Sequence, residues 1–215
     1  LRAAVATTMR ERGVVADADR VVVTPGAKSM LFSALLATVR PGDEVLVPDP
    51  GYPMYAAVAE LAGGRAVHYA LDAAHGFAVD ADEIAERVTA RTRLLVLNAP
   101  HNPTGSVLRE ATMARLAELA LRHDLLVVSD EIYARHRYDS PGGVQASIAA
   151  LPGMAERTVV VDGFSKTYAM TGWRLGYGVL PARLVKAVTT LVTNSATCTA
   201  TFVQHAGVAA LTVPQ

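Results

Sequence analysis

The sequence predicts an α/β fold in which a mainly parallel β-sheet is covered by helices on both faces, giving three layers. Short apolar segments recur along the chain, and segments with helical periodicity separate them. Strands that are apolar throughout are typical of parallel sheets buried on both sides. The 215 residues are 51% hydrophobic and 19% charged, which suffices for one domain with a substantial core.

The individual elements follow from local patterns. A first helix is predicted because Leu1, Val5 and Met9 recur four residues apart. Strands are predicted at residues 20–24, 44–48, 65–71, 93–97, 125–128, 157–161 and 175–180. Further helices are predicted at residues 29–39, 54–61, 80–88, 109–123, 182–191 and 199–211. Asp80 is expected to cap the helix that follows it, and residues 139–143 are expected to form a surface loop.

Composition and missing motifs exclude several classes of function. The formal net charge is zero, which argues against nucleic acid or an anionic membrane as a partner. Cys198 is the only cysteine, and no Cys and His residues have the spacing of a zinc site, so we expect no disulfide and no metal. A cytoplasmic protein is expected. The absence of a phosphate-binding P-loop and of a Gly-x-Gly-x-x-Gly turn argues against nucleotide cofactors.

The sequence begins without methionine, already in helical rhythm, so we expect it to be part of a longer protein. We find neither a signal peptide nor a membrane-spanning pattern in it.

Residues whose side chains or backbone could bind a ligand or take part in catalysis follow the predicted strands. In a parallel sheet, ligands bind at the edge formed by the carboxyl ends of the strands. The residues expected at this edge are Gly26, Ala27, Lys28, Asn102, Asp130 and Lys166. An isolated lysine is usually a solvated surface charge. Lys166, however, follows an apolar strand, and its small and aromatic neighbours are not expected to solvate it easily. A lysine held near other cations or in a dry pocket is more easily deprotonated and then acts as a nucleophile towards carbonyl groups.

Five segments in this order carry a resemblance to a known family: TPGAKSMLF, DPGYPMY, NAPHNPTG, SDEIY and SKTYAMTGWRLGY. Together they resemble the large domain of class I/II aminotransferases, which are fold-type-I enzymes that use pyridoxal 5′-phosphate. The resemblance covers essentially the whole chain. It implies a three-layer α/β/α domain whose seven-stranded, mainly parallel sheet contains one antiparallel strand.

The resemblance implies roles for the residues that surround the cofactor ring. Lys166 matches the catalytic lysine that forms a Schiff base (aldimine) with the cofactor aldehyde and then moves a proton between the substrate and the cofactor. Asp130 matches the partner of the pyridine nitrogen, although an aspartate here could also cap a helix or pair with an arginine. Asn102 and Tyr133 match the donors to the phenolic oxygen, with a turn residue and a core aromatic as the alternatives.

The resemblance also implies a phosphate site. The loop at residues 26–28 would present backbone amides at the start of a helix, whereas the Lys28 side chain is equally consistent with a solvated charge. Arg174 would clamp the phosphate, since a guanidinium group can contact two of its oxygens. Ser165 matches a hydroxyl donor, with a simple turn as the alternative. Tyr52 matches the aromatic residue that stacks on the cofactor ring, with packing on the core as the alternative.

A function follows from the resemblance as an expectation. The protein would transfer an amino group from an amino acid to a 2-oxo acid and would act as a homodimer with shared sites. Residues 1–215 would be the cofactor-binding large domain, without the amino-terminal arm and the small domain of the family. Two alternatives remain open: other pyridoxal-phosphate chemistry (β-lyase, cyclopropane-forming synthase or decarboxylase), and a non-catalytic sensor domain of a transcriptional regulator.

Overall fold

A computed structural model describes residues 1–139 and 143–213, in which seven strands form one sheet. The strands are β1 (Val21–Thr24), β2 (Glu44–Asp49), β3 (Arg65–Ala70), β4 (Thr92–Asn98), β5 (Leu126–Asp130), β6 (Thr158–Gly163) and β7 (Gly176–Val179). Their order across the sheet is β1-β7-β6-β5-β4-β2-β3. Only β7 runs against its neighbours β1 and β6, whereas the other pairs are parallel. The predicted sheet, including its single antiparallel strand, is therefore confirmed.

Helices cover both faces of this sheet. They are α1 (Arg2–Glu11), α2 (Ala27–Thr38), α3 (Met54–Leu61), α4 (Ala81–Glu86), α5 (Glu110–Arg122), α6 (Ala182–Ala196) and α7 (Thr201–Thr212). Helices α2, α3 and α6 pack on one face, and α1, α4, α5 and α7 pack on the other. The predicted three-layer architecture is confirmed.

The alternation of side chains along each strand builds the two cores. In β2, Val45 and Val47 point towards the face with α2 and α3, while Leu46 points towards the opposite face. Successive residues of a strand face opposite sides of the sheet, so a strand buried on both sides must be apolar at every position. This is why the strands could be recognised from continuous apolar runs.

Several boundaries differ from the prediction, most of all the end of α6, which continues to Ala196 instead of ending at Leu191. Two of the differences have identifiable reasons. Strand β1 begins at Val21 because the side chain of Asp17 accepts hydrogen bonds from the amides of Asp19 and Arg20, which hold Arg20 in a short 3₁₀ turn. Helix α2 begins at Ala27, two residues before the predicted start, because Gly26 ends the preceding turn at φ +87°. The start of α2 therefore lies directly at the carboxyl edge of the sheet.

The predicted cap of α4 is confirmed, since the Asp80 carboxylate accepts a hydrogen bond from the amide of Asp82. The predicted loop at residues 139–143 lies largely outside the described residues. No helix within residues 1–139 and 143–213 combines the length and the apolar character needed to cross a membrane. The same residues contain no group of three or more His, Cys, Asp or Glu side chains that could hold a metal ion.

Candidate active site

A pocket of about 270 Å³ lies at the carboxyl edge of the sheet, between the ends of β4, β5 and β6 and the start of α2. It contains every site residue predicted from the sequence except Gly26. The residues that line it are Ala27, Lys28, Leu31, Tyr52, Tyr55, Asn98, Asn102, Asp130, Ile132, Tyr133, Ser165, Lys166, Thr171 and Arg174. Residues from five separate segments thus meet around one cavity.

Asp130 lies at the end of β5 and is only 4% exposed. The hydroxyl of Tyr55, on α3, donates a hydrogen bond of 2.7 Å to its Oδ2 atom, and the Ile132 amide donates to Oδ1 at 3.3 Å. Burial raises the pKa of Asp130 to about 6, and the neighbouring Glu131 raises it slightly further. The two hydrogen bonds lower this pKa, but burial has the larger effect. A carboxylate held in this way can form a charged hydrogen bond with a protonated nitrogen.

Asn98 connects the end of β4 to both Asp130 and Asn102. It faces Asp130 in the parallel register of β4 and β5, and its side-chain amide donates a hydrogen bond of 3.0 Å to the Asp130 carbonyl. Its Oδ1 atom accepts a hydrogen bond of 2.7 Å from the Asn102 amide. This buried residue therefore fixes where the loop that carries Asn102 leaves the sheet.

Lys166 lies in the turn that follows β6, with its Nζ atom 5.4 Å from the centre of the Tyr133 ring. At this distance an ammonium group gains a cation–π attraction. The expectation that its surroundings shield Lys166 from water is wrong, because this side chain is exposed. The lysine lies beyond the end of the strand, at the open side of the pocket, where the apolar strand residues before it do not exclude water.

At the other end of the pocket, the start of α2 lies against Arg174. A β-carbon at Gly26 would collide with the Arg174 guanidinium, so these two residues are in direct contact although Gly26 does not line the cavity. No side chain caps the first turn of α2, and its amides carry the partial positive charge of a helix start. Arg174 adopts a left-handed backbone at φ +52° and donates a hydrogen bond of 3.0 Å to the Thr171 carbonyl.

The loop that carries Ser165 is tied to the same end of the pocket. The Thr171 hydroxyl donates a hydrogen bond of 3.0 Å to the Ser165 carbonyl. Ser165, Thr171 and Arg174 therefore belong to one connected turn after β6.

Gly176, the first residue of β7, permits this close approach. A β-carbon there would collide with the Ala27 amide nitrogen and the Gly26 carbonyl carbon, and would lie 2.8 Å from the Ala27 Cα atom. All three atoms belong to the backbone, so no flexible side chain can move aside to make room.

We therefore expect Gly176→Ala to displace the start of α2 and to lower the free energy of unfolding by roughly 1–3 kcal/mol, as overpacking typically does. Denaturant unfolding measures this loss. Gly172→Ala is the matched control, because a β-carbon at Gly172 meets nothing within 4 Å. Equal stability of the two variants would contradict the close packing of β7 against α2.

Two tyrosines form one wall of the pocket. The rings of Tyr52 and Tyr55 meet edge to face with centroids 5.7 Å apart, and the Lys28 Nζ atom lies 5.6 Å from the centre of the Tyr52 ring. Tyr55 is buried, whereas Tyr52 is partly exposed to the cavity. The Tyr52 ring can therefore contact a bound planar molecule, and Tyr55 supports both Tyr52 and Asp130.

Charge is distributed unequally along the pocket. The lining contains three cations, Lys28, Lys166 and Arg174, and none of them forms a salt bridge with any residue in the described part of the chain. The only carboxylate in the lining is Asp130. The pocket can thus accept an anion beside Arg174 and the start of α2, and a basic nitrogen beside Asp130.

A second group of charges is buried on the other face of the sheet, behind the pocket. We call Arg12, Glu131 and Asp162 the Arg12 cluster. Arg12, the residue after α1, forms salt bridges with Glu131 at 2.5 Å and with Asp162 at 3.4 Å, and its side chain is 9% exposed. Burial disfavours the charged guanidinium, but the two carboxylates outweigh this effect and raise the pKa of Arg12.

Hydrogen bonds complete the Arg12 cluster. Glu131 accepts hydrogen bonds from the hydroxyls of Ser129 and Ser147 at 2.8 and 2.6 Å. Asp162 accepts hydrogen bonds from the Gly163 amide at 2.6 Å and from the Tyr177 hydroxyl at 3.2 Å. Both carboxylates of the cluster are therefore held by donors from several elements.

The cluster predicts a pH dependence of stability. Burial raises the pKa of Asp162 to about 7, even though Arg12 lowers it. Because the folded-state pKa lies above the ordinary carboxyl value, the folded protein binds more protons than the unfolded protein between about pH 4 and pH 7. The contribution of Asp162 to the free energy of unfolding therefore falls as the pH rises through that window. We expect Asp162→Asn to reduce this decline. Between about pH 4 and pH 7, the free energy of unfolding should fall by at most roughly 4 kcal/mol less in the variant than in the wild type, since one pKa unit is worth about 1.4 kcal/mol.

Denaturant unfolding from pH 4 to pH 8, with no ligand added, measures the slope. Asp19→Asn serves as the control, because the Asp19 side chain is 94% exposed and belongs to a surface ion pair. Parallel slopes for wild type and Asp162→Asn would rule out a proton held at Asp162.

Several residues of the site had no role in the sequence-based prediction. Tyr55, Asn98 and Thr171 line the pocket, and Arg12 lies behind it. Tyr55 and Asn98 are polar residues in otherwise apolar stretches, and their burial requires hydrogen-bond partners. That pattern is the one signal that could have pointed to them.

The chain matches one protein family along its entire length. The family model of aminotransferase class I and II covers residues 1–215. The chain is 44% identical over 191 residues to an aspartate aminotransferase of Musicola paradisiaca, covering 89% of this chain and 47% of that protein. It is 42% identical to an arginine–pyruvate transaminase of Pseudomonas aeruginosa, covering 100% of this chain and 54% of that protein.

Solved structures give the same result. The aromatic aminotransferase of Pyrococcus horikoshii superimposes with a TM-score of 0.95 at 39% identity, covering 99% of this chain and 56% of that one. The aspartate aminotransferase of Thermus thermophilus with maleate superimposes with a TM-score of 0.92 at 37% identity, covering 98% and 54%. The chain thus spans about half the length of the relatives it matches.

Proposed function

The chain belongs to the class I and II aminotransferase family, and on this premise we propose that it is the cofactor-binding part of a pyridoxal-phosphate-dependent transaminase. The protein would transfer an amino group from an amino acid to a 2-oxo acid. Relatives named as aspartate aminotransferase and arginine–pyruvate transaminase support this reaction.

The observation that carries the proposal is the separation of charge within one pocket. A buried carboxylate, Asp130, lies at one end, and Arg174 lies against the uncapped start of α2 at the other. Pyridoxal phosphate has a ring nitrogen and a phosphate at opposite ends of a planar molecule. The donors and acceptors of the pocket match both of its ends.

The phosphate would be bound mainly by backbone amides. The amides of Ala27 and Lys28, in the first turn of α2, are available to an anion. A side chain at Gly26 would collide with the Arg174 guanidinium, so the turn can approach the arginine only with glycine there. A side chain at Gly176 would collide with the backbone of this turn from the side of β7. Ser165, on the connected turn, would add its hydroxyl.

The ring would lie between the remaining predicted residues. Asp130 would hold a proton at the ring nitrogen, and Tyr55 keeps that carboxylate in place through its 2.7 Å hydrogen bond. Asn102 and Tyr133 would donate hydrogen bonds to the phenolic oxygen. Tyr52 would cover one face of the ring, because its own ring lines the pocket and packs edge to face on Tyr55.

When bound, the cofactor supplies an aldehyde that condenses with amines and a ring that accepts electrons from the substrate. Lys166 would supply the amine that holds the cofactor at rest, and the same amine would take a proton from the substrate and return one during turnover. Tyr133 lies beside the Lys166 amine and so helps to orient it. Asp130 would favour the protonated ring, which is the form that accepts electrons best.

The rest of the protein would complete the site. We infer that residues 1–215 form the large domain, and that an arm, a small domain and a second subunit of a homodimer supply further parts of the substrate pocket. We further infer a cytoplasmic location.

A single-turnover experiment on the full-length protein tests the proposal. With pyridoxal phosphate bound and no acceptor added, an amino acid substrate should release one equivalent of its 2-oxo acid per site. Ammonia with pyruvate would instead indicate a β-lyase, and carbon dioxide a decarboxylase. Failure of a broad panel of amino acids to react would favour the non-catalytic sensor domain.

A further inference from the structure

The residues expected to contact the cofactor continue directly into the Arg12 cluster. Asp130 and Glu131 are consecutive, and consecutive residues at a strand end point to opposite faces of the sheet. Asp130 faces the pocket and Tyr55, whereas Glu131 faces Arg12 on the other side. Asp162 lies on β6, four residues before Lys166. The cluster therefore joins the two segments that carry Asp130 and Lys166.

Arg12 is the only cation that pairs with either carboxylate in the described part of the chain. One of its terminal nitrogens contacts Glu131 and also donates a hydrogen bond of 3.2 Å to the Gln145 carbonyl, while the other contacts Asp162. Without this cation, two carboxylates would face each other in a poorly solvated space and would repel strongly. The guanidinium fork holds them at a defined separation.

We propose that Arg12 is a positioning residue for the cofactor site: by bridging Glu131 and Asp162 on the far face of the sheet, it sets the relative positions of Asp130 and Lys166. The inference rests on the proposed function for the identity of the ligand. The salt bridge of Arg12 with Glu131, the residue adjacent to Asp130, is present without any ligand.

Glu44 offers a comparison that separates positioning from general stability. It is another buried carboxylate paired with arginine, since Arg65 and Arg91 each contact it at 2.7 Å. It lies at the first residue of β2, so it is at the end of the sheet away from the pocket. Loss of its charge should destabilise the fold without affecting Asp130 or Lys166.

The test uses the full-length protein with the variants Arg12→Met, Arg12→Lys and Glu44→Gln. Two quantities are measured: the dissociation constant of pyridoxal phosphate, and the titration of Asp130 in cofactor-free protein, followed by NMR of ¹³C-labelled aspartate carboxyl groups. Arg2→Met is the surface control, because Arg2 is the first residue of α1, the helix that ends just before Arg12, and forms an exposed ion pair with Asp19.

We expect Arg12→Met to weaken cofactor binding about tenfold or more, a typical effect of residues that orient a binding group. It should also raise the measured pKa of Asp130 by about half a unit or more, because the charge of Glu131 is no longer balanced. Arg12→Lys should restore most of the Asp130 titration but only part of the affinity, because an ammonium group lacks the fork that spans both carboxylates. Arg2→Met and Glu44→Gln should leave both quantities unchanged.

An Asp130 titration in Arg12→Met that equals the wild-type titration would overturn the inference, whether or not the protein binds the cofactor. The inference would also be overturned if Arg12→Met and Glu44→Gln had the same thermal stability and the same cofactor affinity. Should Arg12→Met fail to fold, the cofactor affinity of Arg12→Lys decides the question, and an affinity equal to that of the wild type would overturn the inference. A wild-type protein that binds no pyridoxal phosphate would refute the proposed function, while the Asp130 titration would still decide whether Arg12 positions that carboxylate.

Discussion

Replacing Lys166 with alanine is expected to abolish the covalent attachment of pyridoxal phosphate while leaving the fold intact. The fold should survive because Lys166 is exposed and its amine lies beside the Tyr133 ring without a salt bridge in the described part of the chain. Transaminase activity should fall by at least roughly 10⁴-fold, because the variant loses both its amine nucleophile and its proton-transfer group. Absorbance of the bound cofactor and circular dichroism of the protein measure the two effects separately.

The sequence offers a matched control and a direct chemical check. It contains three lysines, Lys28, Lys166 and Lys186. Lys186→Ala, on the surface of α6, should leave attachment unchanged. After borohydride reduction of the wild type, peptide mapping should find the cofactor on Lys166 and on neither of the other two. A label on Lys28 would show that the attachment site is wrongly assigned.

The fold could be predicted because its strands are buried on both faces. A continuous apolar segment between two predicted helices, such as the one at β5, is best interpreted as a strand buried on both sides. The boundaries were less predictable where local polar contacts intervene. The Asp17 side chain delays the start of β1, and Gly26 lets α2 begin earlier than its apolar periodicity indicates.

Most of the pocket lining could be predicted because the family motifs are local. Each motif places its residues at the end of one strand, and the parallel sheet brings those ends together. The supporting residues could not be found in this way. Tyr55 reaches Asp130 across 75 residues of sequence, and Arg12 reaches Glu131 across 119. Such pairs depend on how the helices pack on the sheet, and a local sequence pattern does not predict that packing.

The exposure of Lys166 is the clearest difference between sequence and structure. Its small and aromatic neighbours suggested a dry environment, but solvent access depends on which distant segments cover a turn. Asp130 is the opposite case, because a residue that ends a central strand is enclosed by the neighbouring strands and by α3. The two residues therefore call for different tests of the proposed site.

Asp130→Asn is expected to lower kcat by roughly 10²–10³-fold, as the loss of one well-placed electrostatic partner typically does. Asparagine has nearly the same shape and still accepts a hydrogen bond from Tyr55, but it carries no charge to keep the ring nitrogen protonated. Cofactor affinity should fall much less than kcat, because the phosphate contacts remain. Steady-state kinetics and equilibrium binding distinguish these two effects, and Tyr55→Phe, which removes one hydrogen bond to the carboxylate, should have a smaller effect than Asp130→Asn.

The pH dependence of cofactor binding gives this prediction a distinctive signature. Burial raises the pKa of Asp130 to about 6 in the protein without ligand, so below about pH 6 the carboxyl group becomes neutral and loses its attraction for a protonated ring. Wild-type affinity should therefore fall with decreasing pH more steeply than that of Asp130→Asn. The cofactor phosphate titrates in the same range in both proteins, so the difference between the two profiles isolates Asp130. Identical profiles would mean that Asp130 does not hold the ring nitrogen, and the residue facing that nitrogen would have to be sought elsewhere in the lining.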